Sequence, residues 1–316
     1  MPELPEVETI QRTLAPQITG RIIRSVQVLH TPCLQAGAEY LGYVSGARIL
    51  GLGRRAKLLL VGVQPEKPLP AVLGEGKDWG NNTAEWPASV SGIANAPLVL
   101  AFHLKMTGRF FVHPAGTLPL KHTRLVFDLA LPEEGMGSGK REEGTGREQG
   151  RLFFDDMRTF GYCRIMRHEQ VAAWGFYASL GPEPLETGVE VLAKRFCHKR
   201  ASIKSVLLDQ CVVAGVGNIY ADETLFRARV LPTAKDLSLE RACTVAGALQ
   251  EVLQRAVDEC GSSIRDYRDA LGNAGAFQNS FFVYGRKNQI CRICGKILEF
   301  SAVAGRGTTF CAHCQQ

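Results

Sequence analysis

Four cysteines of this 316-residue chain fall as Cys291-x2-Cys294 and Cys311-x2-Cys314, with sixteen residues between the pairs. Two such knuckles bring four thiolates to where they can close a tetrahedron round one Zn2+, and a closed four-cysteine site leaves no open position for catalysis. The role this predicts is a structural staple for a module of roughly 25 residues, too small to fold on its own core. Between the knuckles Ile297–Val303 alternates as a strand, and Gly305-Arg306-Gly307 reads as the tight turn before Thr308-Thr309-Phe310. An arginine at a hairpin tip suits a phosphate or minor-groove contact, and equally suits a solvated loop.

A second constellation opens the chain. In Met1-Pro2-Glu3-Leu4-Pro5-Glu6, removal of Met1 would leave a secondary amine with two carboxylates close by. By itself the run reads as a proline- and acid-rich helix start. A third, Ala214-Gly215-Val216-Gly217-Asn218-Ile219-Tyr220, precedes a predicted helix. Its glycines would let backbone N–H groups approach a phosphate, or simply form a tight turn between packed helices. Because it follows a helix and not a strand, it is no dinucleotide-binding fingerprint.

The elements that must position these residues fall into two regimes. Val7, Ile10, Leu14 and Ile18 recur at helical steps up to Gly20. From Arg21 to Arg167, β-rich runs follow at Ile22–Leu29, Ala47–Val63, Leu98–Val112, Arg124–Leu131 and Leu152–Met166, a sandwich or barrel rhythm. Two acidic stretches, 64–97 and 132–150, interrupt it and read as inserted surface loops. Beyond Gly181-Pro182-Glu183-Pro184 the period turns helical, with candidates at Val191–Phe196, Ile203–Asp209, Ala221–Arg227 and Leu239–Asp258. Gly261–Gly275 reads as a mobile loop leading to the cysteine module. Three domains are expected: 1–181, 182–280 and 281–316.

Composition narrows the class. Hydrophobic residues at 45% and charged residues at 22% are ordinary globular usage, which excludes disordered and collagen-like chains. No run approaches the roughly 18 apolar residues of a membrane span, and the acidic start is unlike a signal peptide, so a soluble, cytoplasmic protein is expected. Net charge is +6; the two acidic stretches each carry −2, so the remainder holds +10. Five basic residues, Lys204 among them, lie in Leu192–Gln210, and five in Gly285–Gln316. That pattern fits a polyanion-binding surface or plain solvated faces. The remaining cysteines, 33, 163, 197, 211, 243 and 260, read as small buried hydrophobes in a reducing compartment.

Met1 to Thr9 (MPELPEVET), His103-Leu104-Lys105-Met106-Thr107-Gly108, Gln210 to Glu223 (QCVVAGVGNIYADE), Phe281 to Lys287 (FFVYGRK) and the four-cysteine finger, in this order, resemble the formamidopyrimidine-DNA glycosylases. The likeness spans the chain apart from the two acidic stretches. It implies an α+β multidomain protein: an N-terminal β-sandwich with flanking helices, a helix-two-turn-helix domain and a C-terminal zinc-finger β-hairpin. It implies a bifunctional glycosylase and AP lyase acting on oxidised purines in duplex DNA, as a monomer with one structural zinc. Pro2 is then the nucleophile, Glu3 its acid/base partner, Glu6 a supporting carboxylate and Lys57 a DNA-contacting lysine of the active site. Met106, Arg158 and Phe160 match the residues that fill the hole left by an everted nucleotide, although Asp156-Met157-Arg158-Thr159-Phe160-Gly161 lacks the usual double arginine. His103, Asn218 and Arg306 match phosphate clamps, and Lys204 is counted with them as a DNA contact. Residues 262–278 align with the loop that covers the extruded base. Two rival readings are an endonuclease VIII-like enzyme for oxidised pyrimidines, against which Leu4, Val7 and Lys57 speak, and a zinc-dependent DNA-binding protein without catalysis.

Overall fold

A computed structural model describes residues 1–70, 87–131, 149–264 and 266–316. They form two compact units: one of residues 1–2, 7–178 and 266–274, the other of residues 3–6, 179–265 and 275–316.

The first unit takes most of helix α1 (Leu4–Ile18), on which Val7, Ile10, Leu14 and Ile18 are fully buried, as their spacing requires. Each contributes about 1.5–3 kcal/mol of transfer free energy. Strands β1 (Ile22–Val28), β2 (Leu34–Ala36), β3 (Arg48–Arg55), β4 (Leu58–Gln64), β5 (Leu98–His103), β6 (Gly108–Pro114), β7 (Thr123–Ala130), β8 (Gln149–Asp156) and β9 (Tyr162–Arg167) make one sheet, ordered β2-β9-β5-β4-β3-β1-β7-β8-β6. All neighbours are antiparallel except β2 and β9. The sheet is doubled over on itself. β5 and β7 are four places apart, about 19 Å in a flat sheet, yet the rings of Phe102 and Phe127 lie 6.2 Å apart. Phe110 and Phe154 close on the same ring, at 4.9 and 5.5 Å. The sandwich expected from the resemblance is thus one folded sheet round an aromatic centre.

The predicted runs Ala47–Val63, Leu98–Val112 and Leu152–Met166 each resolve into two strands, broken at residues 56–57, 104–107 and 157–161. Helices α2 (Leu41–Val44), α3 (His168–Ala173) and α4 (Gly175–Ala178) complete the unit. Part of the first acidic stretch is no surface loop: a 3-10 helix, Ala88–Ile93, buries Val90 and Ile93 against Leu58, Leu60, Val99 and Ala101 on the outer face of β4 and β5. Gln64 already belongs to β4, and Gln149 and Gly150 to β8. Residues 71–86 and 132–148 of the acidic stretches lie outside the described residues.

The second unit is built on α5 (Val189–Phe196), α6 (Ile203–Leu208), α7 (Asn218–Arg227) and α8 (Leu239–Asp258) round Leu192, Phe196, Leu207, Tyr220, Leu249 and Leu253. Serine hydroxyls start two of these helices, Ser202 accepting from Ser205 N and Ser238 from Arg241 N. Helix α7 opens at Asn218, three residues before its predicted start. Strands β10 (Glu299–Val303) and β11 (Arg306–Phe310) form the terminal hairpin. Ala304 and Gly305 both have positive φ, 53° and 68°, and Val303 pairs with Arg306. This is the primed two-residue turn that matches strand twist. The turn therefore lies one residue earlier than predicted, and Arg306 opens the returning strand. Of the six scattered cysteines only Cys33 and Cys163 are buried; Cys211 and Cys260 are exposed. Among the described residues, no helix is long and apolar enough to cross a membrane.

Candidate functional site

In the first unit the candidates stand at the strand breaks. Lys57 follows Ala56 (φ 54) at the tip of the β3–β4 hairpin and is only 8% exposed, so it is no solvated strand-end charge. The buried Arg54 braces that tip, donating to Glu8 Oε2 of α1 at 2.7 Å and to Ala56 O at 3.2 Å. The residue after Lys57, Leu58, pairs with His103, and His103 pairs with Tyr162. His103 Nδ1 accepts the Lys105 N–H at 3.0 Å, which leaves its proton on Nε2. Burial, reinforced by Lys105 and Lys57, lowers the His103 pKa to about 3. The ring is thus a neutral donor, fixed in one tautomer. Pro2 is buried in this unit.

Met106, at the 104–107 break, is 40% exposed, and Phe160, at the 157–161 break, 53% exposed with the Arg158 guanidinium 5.0 Å above its ring. Large apolar side chains at that exposure are not core residues. Sequence reasoning gave no role to Asp156, whose buried carboxylate takes hydrogen bonds from both of these loops.

In the second unit Glu3 and Glu6 meet the start of α7. Glu3 Oε1 accepts the Ile219 N–H at 3.2 Å, in the first turn, where the helix dipole favours a carboxylate. Glu6 accepts from Glu3 N at 2.8 Å, Ser262 N at 2.7 Å, Ser262 Oγ at 3.0 Å and the Tyr220 hydroxyl. Burial beside this carboxylate drives the Tyr220 pKa well upward, so the phenol stays a donor. The two glycines of the turn serve this packing: a Cβ at Gly217 would strike the Glu3 carboxylate, and one at Gly215 (φ 82) would lie 2.7 Å from Leu4 Cβ. Neither alternative drawn from sequence, a phosphate cradle or a plain turn, anticipated that the glycines make room for the N-terminal segment.

Asn218, first residue of α7, donates through Nδ2 to Gly307 O at 3.1 Å, beside the exposed Arg306. Lys204 requires a correction. It is 0% exposed, and its Nζ donates to Asp222 Oδ1 at 2.5 Å and Thr308 Oγ1 at 2.6 Å. Burial lowers the Lys204 pKa and raises that of Asp222 to about 6, each opposed by the other's charge, and the short contacts hold the pair ionic. Lys204 presents no surface to a phosphate; it ties α6 to α7 and β11. Next to Asp222, the Glu223 carboxylate accepts the N–H groups of Phe282, Val283 and Tyr284 at 2.8–3.0 Å. Within the expected mobile loop, 261–275, Tyr267 and Ala270 pack into the first unit's core, so it is anchored there; Phe277, just beyond it, packs into the second's.

Cys291 Sγ and Cys314 Sγ lie 3.9 Å apart, Cys294 Sγ and Cys311 Sγ 3.5 Å, and all four within 4.8 Å of one another. Four thiolates on a tetrahedral zinc would be about 3.8 Å apart. The group can hold such an ion, and the hairpin core of Val283, Leu298 and Phe226 closes round it.

Comparison with known proteins accords with this geometry. Residues 1–163 match the formamidopyrimidine-DNA glycosylase N-terminal domain, and residues 180–268 the formamidopyrimidine-DNA glycosylase H2TH domain. The chain is 43% identical to a formamidopyrimidine-DNA glycosylase of Nitratidesulfovibrio vulgaris, with all of both chains covered. It superposes on a variant of the Lactococcus lactis enzyme in complex with Fapy-dG DNA at a TM-score of 0.79 and 30% identity, covering 100% of each chain. A complex of the Lactococcus lactis enzyme with abasic-site DNA gives 0.78 and 29%, covering 99% of each chain. Two domain families in order and end-to-end identity at this level place the chain in the formamidopyrimidine-DNA glycosylase family.

Proposed function

We propose that the chain is a bifunctional DNA glycosylase and AP lyase of base excision repair that removes oxidised purines from duplex DNA through an imine on Pro2. One observation carries the reading. Glu3, peptide-bonded to Pro2, has its carboxylate buried at the first turn of α7, and Glu6 grips the Glu3 N–H, so the residue beside the nucleophile is held in place. With Met1 removed, the Pro2 amine has a reference pKa near ~7.7–8.0 and is partly unprotonated at neutral pH, unlike a lysine near ~10.4. Its nitrogen attacks C1′ as the base departs, and the cationic imine acidifies the sugar protons so that β- and δ-elimination break the strand. Glu3 protonates the opening sugar oxygen and then shuttles protons.

Eversion of the nucleotide costs a few kcal/mol, which Met106, Phe160 and Arg158 offset by filling the void. Asn218, Arg306, Lys57 and neutral His103 hold phosphates, and the four cysteines hold one structural zinc. Residues 1–181 form the catalytic domain, 182–280 the helix-two-turn-helix domain and 281–316 the finger, in a cytoplasmic monomer whose partner is damaged duplex DNA. Borohydride should trap the untagged protein on 8-oxoguanine duplex, with the adduct on residue 2. An N-terminal tag should abolish base removal and cleavage while binding persists. An adduct on Lys57, or full activity behind an uncleaved tag, overturns the assignment. Faster excision of an oxidised pyrimidine would favour the endonuclease VIII-like reading.

A further inference from the structure

Met106 and the Arg158–Phe160 pair sit on separate turns, and neither turn is anchored by its own exposed side chain. Lys105 and Thr159, one in each, adopt positive φ of 51° and 57°, a conformation that costs a non-glycine residue energy and persists only when its surroundings impose it. One buried group touches both. Asp156, 1% exposed at the end of β8, accepts at Oδ1 from the Thr107 hydroxyl and from Arg158 N (3.1 Å), and at Oδ2 from Gly161 N (2.7 Å). Arg158 N also donates to Thr107 Oγ1 at 3.1 Å, closing a ring between the two turns. The backbone of Asp156 is fixed as well: its N–H donates to His122 O at 2.8 Å, its carbonyl accepts from Arg124 Nε at 2.8 Å, and it stands opposite Gly108.

We infer that Asp156 is a positioning residue that sets the spacing between Met106 and the Arg158–Phe160 pair, so that the three enter the duplex as one rigid wedge. The inference rests on the void-filling roles proposed above. A carboxylate suits the task because it offers acceptors only, and three donors converge on it. An isosteric amide turns one of those oxygens into a donor and sets it against the N–H of Arg158 or of Gly161, freeing at least one turn. Filling a void demands tight placement, since a misplacement of about 1 Å can cost on the order of 100-fold in rate.

The test compares two substrates under single-turnover conditions: 8-oxoguanine duplex, where a nucleotide must be everted, and an abasic site in single-stranded DNA, where no stack is opened. Asp156→Asn should slow excision on the duplex by roughly 10- to 100-fold, while borohydride trapping on the single strand stays at the wild-type rate. Thr107→Val should show the same split and Thr107→Ser should restore the duplex rate, which keeps the test decisive if Asp156→Asn does not fold. In a Met106→Ala/Phe160→Ala background, Asp156→Asn should cost less than it does in the wild type, because groups acting as a unit are not additive. A folded Asp156→Asn with the wild-type duplex rate, an equal loss on both substrates, or full additivity overturns the inference. Wild-type excision by Met106→Ala/Phe160→Ala itself would instead overturn the void-filling reading, a result read from different proteins.

Discussion

Histidine proposed to contact a phosphate is ordinarily credited with a positive charge near neutral pH, but the surroundings of His103 deny it one. Its Nδ1 is committed to an N–H donor, and burial with two lysines at hand lowers its pKa to about 3. A group whose pKa is depressed on folding binds fewer protons in the native state. The stability this provides is complete above the ordinary value near ~6.5 and is lost as the pH falls toward the folded value. The His103 ring should therefore show no titration by NMR between pH 4 and 8, and duplex affinity should carry no step from this residue across pH 5–8; a midpoint near 6.5 would refute the assignment. At this scale the sequence is least legible. Met106 and Phe160, read without the family resemblance, look like core residues, and only their exposure separates them from Phe102 or Phe110. Lys204 errs in the opposite direction: a lysine in a basic stretch looks like a phosphate contact, and nothing local signals that Asp222, eighteen positions on, buries it.

Helix α7 shows what an element contributes beyond its residues. Asn218 and Asp222, four apart and so on one face, reach Gly307 and Thr309, while Glu223 takes up three successive N–H groups of residues 282–284. The helix thus holds the hairpin bearing Arg306 at two points and the segment leading into it at a third. Lys204 completes the junction as a buried ion pair, and such pairs are costly to break and cheap to replace whole. Lys204→Met alone strands the Asp222 charge and should destabilise the chain by about 3–5 kcal/mol in urea unfolding, whereas Lys204→Met/Asp222→Leu should recover most of that. A single variant as stable as wild type would show that the pair is not ionic. Strong periodicity made α8 legible to the residue, and β-prone composition punctuated by Gly and Pro located the β-rich runs. The turns at 104–107 and 157–161 stayed hidden, because Lys105 and Thr159 take positive φ without glycine to announce it. The 3-10 helix Ala88–Ile93 was missed for a related reason: its two apolar residues, Val90 and Ile93, are too few to show a period within an acidic stretch.

Across the whole molecule stability is unevenly sourced, and that asymmetry can be tested. The sheet unit is self-sufficient in apolar burial, with an aromatic centre and a second layer over β4 and β5. The finger has a small core of Phe226, Val283, Leu298, the partly buried Phe282 and its own cysteines, while Ile290, Ile293 and Ile297 stay exposed. A module so poor in buried area would depend on the ion its four cysteines can hold, because ligand binding supplies the folding free energy that packing does not. Chelation or Cys311→Ser should therefore melt the finger selectively: zinc is released, the amide resonances of residues 285–316 collapse to random-coil positions, and those of β1–β9 keep their dispersion. Arg306 is lost with the hairpin, and the contact of Asn218 with Gly307 goes too, so affinity for damaged and undamaged duplex should fall alike, phosphate contacts carrying little sequence information. The dependence of log affinity on log salt should flatten by about 0.9 for each phosphate contact removed. Arg306→Ala in the metal-loaded protein should reproduce one such step without unfolding anything. Full duplex affinity after measured zinc loss would mean that the hairpin folds unaided or does not touch DNA, and the Arg306→Ala slope would tell which.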